Sequence, residues 1–175
     1  MRRLMLLRHA KSDWSMPDMR DHDRVLTERG REAAPRIGSY MARHALRPDL
    51  VLASTATRVR QTLDLVLPAF PEPPRIVYDD RLYEVEAGAL LEVLKETPAD
   101  AHVLLLVGHN PGLAELAELL IGTGDVETRQ RLLEKFPTAG LAVIDFPLDD
   151  WRKLHPKAGR LDRFVMPRTI ERAAD

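Results

Sequence analysis

The chain has no cysteine, which excludes disulfides, thiolate zinc sites and cysteine nucleophiles. Aromatic residues are scarce: two Trp, three Tyr and four Phe, scattered along the chain, build no base-stacking surface. Charge of one sign is not in excess either. A formal net charge of -1 leaves no electrostatic footprint for nucleic acid or an anionic membrane. Long apolar runs are missing as well. No window approaches the roughly 18 residues of a membrane span, and the run over residues 4–7 is too short for the core of a signal peptide. The expectation is a soluble cytoplasmic monomer with no nucleic-acid or membrane partner.

What is present is an ordinary globular composition, 45% apolar and 30% charged, over 175 residues. That is enough for one domain (1–175) with a sizeable core. Leu4-Met5-Leu6-Leu7 reads as a buried parallel strand, because it is apolar throughout rather than alternating. It ends abruptly in Arg8-His9, and ligands of open α/β sheets sit beyond the carboxyl ends of the strands. Residues 10–25 are polar, are broken by Pro17, and read as a long loop beside that strand's mouth. Thr27 is a plausible N-cap for a helix with Ala33, Ile37, Tyr40 and Met41 on one face. Pro35 should make that helix begin late or kink.

The device of a strand ending in polar groups then recurs. Leu50-Val51-Leu52-Ala53 ends in Ser54-Thr55-Ala56-Thr57-Arg58, and a helix with Val59, Leu63, Val66 and Leu67 follows. Residues 76–78 form a third strand opening onto Leu82-Tyr83-Glu84-Val85-Glu86, with a helix over 89–95. Residues 102–107 are the strongest strand and run into Gly108-His109-Asn110-Pro111-Gly112. The next helix carries Leu113, Leu116, Leu120 and Ile121; Gly122-Thr123-Gly124 breaks it, and residues 125–135 form another. Residues 141–146 and 161–166 are the last strands, predicted as an antiparallel pair at a sheet edge. Such alternation predicts a three-layer α/β/α sandwich with a mostly parallel central sheet.

Parallel strands end on one side of a sheet, so Arg8-His9, Ser54 to Arg58 and His109-Asn110 should converge. Two arginines and two histidines suit a phosphate, which guanidinium groups chelate bidentately. Arg58, in the first turn of its helix, opposes the helix dipole and is better placed with an anion to hold. A neutral imidazole whose other nitrogen is held by a hydrogen bond is a competent nucleophile near neutral pH. The arginines would repel a divalent cation, and no HExxH or clustered carboxylate spacing is present, so no metal is expected. Glu84 or Glu86 could protonate a leaving group, with Glu84 preferred because Leu82-Tyr83 could bury its base; the plainer reading is two solvated glutamates. Lys11, Ser12 and Arg24 are either substrate contacts or solvated loop groups. Thr138 is a further candidate pocket residue, and His22, His44, His102 and His155 read as structural or surface.

Leu6-Leu7-Arg8-His9, Ser54-x-Ala56-x-Arg58 and Gly108-His109-Asn110-Pro111-Gly112, in order and each after a strand, resemble the signature set of the histidine phosphatase (phosphoglycerate mutase-like) superfamily. Arg8-His9-Ala10-Lys11-Ser12-Asp13-Trp14 with Asp23-Arg24-Val25-Leu26-Thr27-Glu28-Arg29-Gly30 is similar to its short SixA-type phosphohistidine phosphatase branch. The resemblance implies a phosphoglycerate mutase-like fold and a cofactor-free phosphohydrolase in which His9 becomes a phosphohistidine. Arg8, Arg58 and His109 would hold the phosphoryl oxygens, with Asn110 and Ser12 as further substrate-binding candidates, and Glu84 would inherit the acid's place. Short members lack that acid, so Glu84 is either the proton donor or dispensable. Ala10 stands where most of the superfamily has glycine. The implied substrate is a phosphohistidine on a protein. The alternatives are a small phosphoester, or phosphate binding without catalysis.

Overall fold

A computed structural model of the chain describes residues 1–174, and the side chains of residues 1–170. Seven strands form one sheet: β1 (Arg2–Arg8), β2 (Leu50–Ala53), β3 (Arg75–Tyr78), β4 (Val103–Gly108), β5 (Ile121–Gly124), β6 (Leu141–Phe146) and β7 (Gly159–Val165). Their spatial order is β3-β2-β4-β1-β6-β7-β5. Only β6 runs against the rest, antiparallel to both β1 and β7; the other neighbours pair in parallel. Six helices accompany the sheet among the described residues: α1 (Glu28–Arg43), α2 (Thr57–Val66), α3 (Ala87–Lys95), α4 (Gly112–Leu120), α5 (Val126–Glu134) and α6 (Pro167–Ala174). No helix among the described residues is long and apolar enough to cross a membrane.

The apolar runs divide between two cores, because successive side chains of a strand point to opposite faces. Leu4, Leu6, Leu104 and Leu106 pack on one face with Leu90 and Leu94 of α3 and Leu113 and Leu116 of α4. Met5, Leu7, Leu105 and Val107 pack on the other with Ile37 and Met41 of α1 and Val59 and Leu63 of α2. Covering both faces is what requires β1 and β4 to be apolar at every position. The result is a three-layer α/β/α architecture.

Three sequence expectations are corrected. The first helix does not begin late: α1 starts at Glu28, ahead of Pro35, with the Thr27 hydroxyl accepting from the Gly30 N–H at 3.0 Å. Pro35 lies on its exposed side, where water can replace the missing helical hydrogen bond. The buried stripe is Gly30, Ala34, Ile37, Gly38 and Met41, with Ala33 and Tyr40 at its margin. The last two long strands do pair antiparallel, but not at an edge. Residues 121–124, expected to end a helix, instead form β5 and extend the sheet beyond β7. Glycine lets them: a Cβ on Gly122 would stand 2.1 Å from the Lys157 carbonyl oxygen, and Gly124 has φ +141°.

Candidate active site

The carboxyl ends of β1, β2 and β4 deliver their polar groups to one cleft of about 260 Å³. Arg8, His9, Lys11, Ser12, Arg58 and Glu84 line it, together with Trp14, His109, Asn110 and Thr138. The convergence expected from the strand ends is therefore present. β6 runs the opposite way, so it is its start that lies at this end. The segment before it closes the cleft through backbone: Ala139 N–H donates to the His9 carbonyl at 3.0 Å, and the Phe136 carbonyl accepts from Arg8 (3.2 Å) and from the Asn110 amide (2.9 Å).

His9 is nearly buried, and its Nδ1 lies 2.7 Å from the Ala10 carbonyl oxygen. A carbonyl only accepts, so Nδ1 carries the proton and the lone pair is on Nε2, which has no partner among the described residues. His109 is fixed the other way. Arg58 Nη2, which only donates, is 3.3 Å from its Nδ1, so Nε2 carries the proton and donates to the Ser54 hydroxyl at 2.8 Å. The two rings lie 5.3 Å apart between centroids. Burial, then the arginine charges, push His9 down to about 4; burial, then His9 and Arg58, push His109 down to about 3. Both rings are neutral near pH 7.

Arg58 is almost fully buried, yet its guanidinium is crowded with acceptors. It donates to the Asp21 carbonyl (2.8 Å), the Asp21 carboxylate (3.1 Å) and the Glu84 carboxylate (3.0 Å). Among the described residues the buried Nε atoms of Arg8 and Arg58 have no partner, as is also true of Arg2 and Arg24. Burial first, then the neighbouring Arg58 charge, lowers the pKa of Arg8. Two arginines lining one cleft suit an anion.

Ala10 fits without strain. Its methyl is fully buried in the α1/α2 core, its N–H donates to the Thr62 hydroxyl at 3.0 Å, and it is not among the residues with positive φ. Glu84 does have positive φ, +45°, a conformation that costs free energy in a non-glycine residue and gathers at working sites. The expected burial of its base is absent: its side chain is 48% exposed, and the Tyr83 hydroxyl turns instead to the Asp21 carboxylate. Asn110 uses its side chain on backbone, donating to Phe136 and accepting from the Ala114 N–H (3.2 Å). Ser12 accepts from the Trp14 indole N–H at 2.9 Å, and Arg24 lies over that indole, 4.1 Å from its centroid. His22 pairs with the Thr55 hydroxyl at 2.9 Å.

Sequence reading quoted Ser54 and Trp14 only as members of motifs and missed Thr62 and Asp21. Thr62 carried a signal, as a polar residue on the apolar stripe of α2 one turn after Arg58; its hydroxyl also donates to the Arg58 carbonyl at 2.7 Å. Asp21 carried none, being one acid among several in a loop. The loop itself is pinned at its base: Ser12 bridges Leu26, Thr27 N–H donates to the Lys11 carbonyl (2.9 Å), and a Cβ on Gly30 would stand 2.3 Å from that same oxygen.

Known proteins share this architecture. Residues 4–103 match the family described as the histidine phosphatase superfamily (branch 1). An uncharacterized protein of Mycobacterium tuberculosis is 38% identical over 165 residues, covering 93% of this chain and 100% of its own. The crystal structure provisionally assigned as phosphohistidine phosphatase SixA of Agrobacterium tumefaciens is 37% identical, with a TM-score of 0.81 over 95% of this chain and 98% of that one. The protein histidine phosphatase SixA complexed with tungstate has a TM-score of 0.76 over 96% and 99% of the two chains; at 20% identity it shows the shared fold.

Proposed function

Because this chain belongs to the histidine phosphatase superfamily (branch 1), we propose that it is a phosphatase working through a phosphohistidine on His9, with phosphohistidine of a protein as its substrate. One observation carries the reading: the Nε2 of a neutral, oriented imidazole, without a partner among the described residues, lines the same cleft as the side chains of Arg8 and Arg58. In the first step Nε2 attacks phosphorus and the bond from phosphorus to the substrate's imidazole nitrogen breaks. The leaving imidazole takes a proton. The Nδ1–H bond to the Ala10 carbonyl holds the His9 ring and offsets the charge that grows on it. Arg8, Arg58 and His109 take the phosphoryl oxygens, with Arg58 turning from the Asp21 and Glu84 carboxylates to do so. In the second step water attacks phosphorus and the bond to Nε2 breaks, releasing inorganic phosphate and neutral His9.

Glu84 stands on the cleft's rim as the candidate proton donor, while imidazole, a good leaving group, needs little help. The SixA-type neighbours support a protein-borne substrate over a small phosphoester. The presence of both His9 and His109 speaks against a module that only binds phosphate. The chemistry asks no metal of the site; two guanidinium groups already supply its positive charge.

The test is trapping. The protein is incubated with phosphoramidate in EDTA, quenched in alkali and mapped by mass spectrometry beside His9→Ala. The expected result is an acid-labile, alkali-stable phosphate on His9 that is lost in the variant, together with hydrolysis of a phosphohistidine protein. His9-dependent turnover of p-nitrophenyl phosphate with none of phosphohistidine would move the substrate to small phosphoesters. Turnover that survives His9→Ala would sink the mechanism.

A further inference from the structure

A second and larger groove, of about 740 Å³, adjoins the cleft and shares Lys11 and Thr138 with it. Its charge is lopsided. Among the described residues Lys11, Arg29, Lys135 and Arg168, with Arg36 beside them, line it against one acid, Glu32, although the chain as a whole carries 26 basic and 27 acidic residues. Lys11, Arg29, Lys135 and Arg168 are exposed and make no ion pair among the described residues. Several basic groups elsewhere are matched, Arg81 with Asp79 and Glu96, Arg152 with Asp150, Arg163 with Asp162 and Lys153 with Asp149, while Arg43, Arg75, Arg129 and Arg160, like the groove's cations, make no ion pair among the described residues; what sets the groove apart is that its cations gather around one space. Arg29 and Arg168 also stand in the first turns of α1 and α6, where a cation opposes the helix dipole. Left without an anion, this arrangement costs free energy in the free protein.

We infer that the groove is a docking surface for an acidic segment of the phosphorylated protein on which His9 acts, an inference that rests on the reading above. A lone phosphate would not answer it. The cations come from four separate places, namely the first loop, α1, the end of α5 and the start of α6, so several negative charges at separate points are needed to meet them. The groove has nearly three times the volume of the cleft, so there is room for a stretch of polypeptide beyond the phosphorylated side chain. Lys11 and Thr138 sit where the two spaces meet. A segment lying in the groove would thus present its neighbouring phosphohistidine to His9. Charge placed this way steers encounter and fixes register more than it adds raw affinity.

The test compares two synthetic peptides with one phosphohistidine each, one flanked by Asp and Glu and one by Asn and Gln, with free phosphohistidine as the small control. The parent protein is expected to favour the acidic peptide about tenfold in kcat/KM at low salt, and to lose most of that preference at about 0.5 M KCl. Combining Arg29→Glu, Lys135→Glu and Arg168→Glu should abolish the preference and leave free phosphohistidine within about twofold of the parent. The milder set Arg29→Gln and Arg168→Gln should shrink it, which guards against a misfolded triple variant. Equal rates on both peptides in the parent, or a preference that the variants keep, would overturn the docking surface while leaving the phosphatase intact. Hydrolysis of p-nitrophenyl phosphate with no phosphohistidine compound turned over would instead remove the reading beneath it.

Discussion

An arginine and a histidine meet at each end of this sheet, and the two meetings differ in kind. At the amino end of β1 and β4, buried Arg2 lies 3.1 Å from His102 and donates to the carbonyls of Ala99 (2.6 Å) and Asp149 (2.7 Å). At the carboxyl end, buried Arg58 lies 3.3 Å from His109 and is shared among Asp21, Glu84 and that ring, beside an open cleft. The first guanidinium is tied to the backbone of connecting segments, which hold it wherever the fold holds them. The second donates to one backbone carbonyl, that of Asp21, and is otherwise held by side chains on a loop and on a strained residue, which can yield when a better anion arrives. Residue type does not separate the two; the nature of the acceptors does.

The largest effect expected from breaking this comparison is Arg58→Ala, which should lower kcat/KM on phosphohistidine by roughly 10²–10³, the scale for removing one preorganised charge-stabilising donor. Arg58→Lys should recover only part, because a point charge does not replace a fork. Steady-state kinetics decide it; a variant within threefold of the parent would mean that Arg58 serves the fold as Arg2 does. At the other end, Arg2→Met should leave kcat unchanged and lower unfolding stability by about 1–3 kcal/mol, through carbonyls left without donors. Chemical denaturation measures the loss, and an equal loss of turnover would erase the distinction.

The smallest effect sharpens the comparison through pH. The ring signals of His9 and His109 should titrate near 4 and 3 by NMR, and added inorganic phosphate should raise both midpoints by placing negative charge beside them. The sign for stability follows. Both rings are held below the ordinary value of about 6.5, so as pH falls below it the unfolded chain takes up protons that the folded chain refuses. Their contribution therefore favours the fold fully above about pH 6.5 and weakens as pH drops towards 4 and 3. Midpoints near 6.5 without phosphate would show that the cleft does not desolvate the rings.

Much of this was legible in the chain because it depends on local pattern. Continuous apolar runs require strands covered on both faces, and β1, β2 and β4 lie where those runs are. Arg8, His9, Arg58 and His109 follow at the strand ends because a parallel sheet brings all such ends to one side. Residues 121–124 misled for a physical reason. Two glycines are poor helix formers and poor strand formers alike, and only the closeness of Lys157 and β7 decides for the strand.

The sequence by itself determined the layered fold and the four cationic or imidazole groups of the cleft, since periodicity and strand ends are properties of neighbours in the chain. Only the tertiary structure decided which nitrogen of each histidine is free, that Asp21 holds Arg58, that Thr62 holds Ala10, and that cations from four separate segments border one groove. Each of these is a contact between groups far apart in sequence, and no local pattern encodes it.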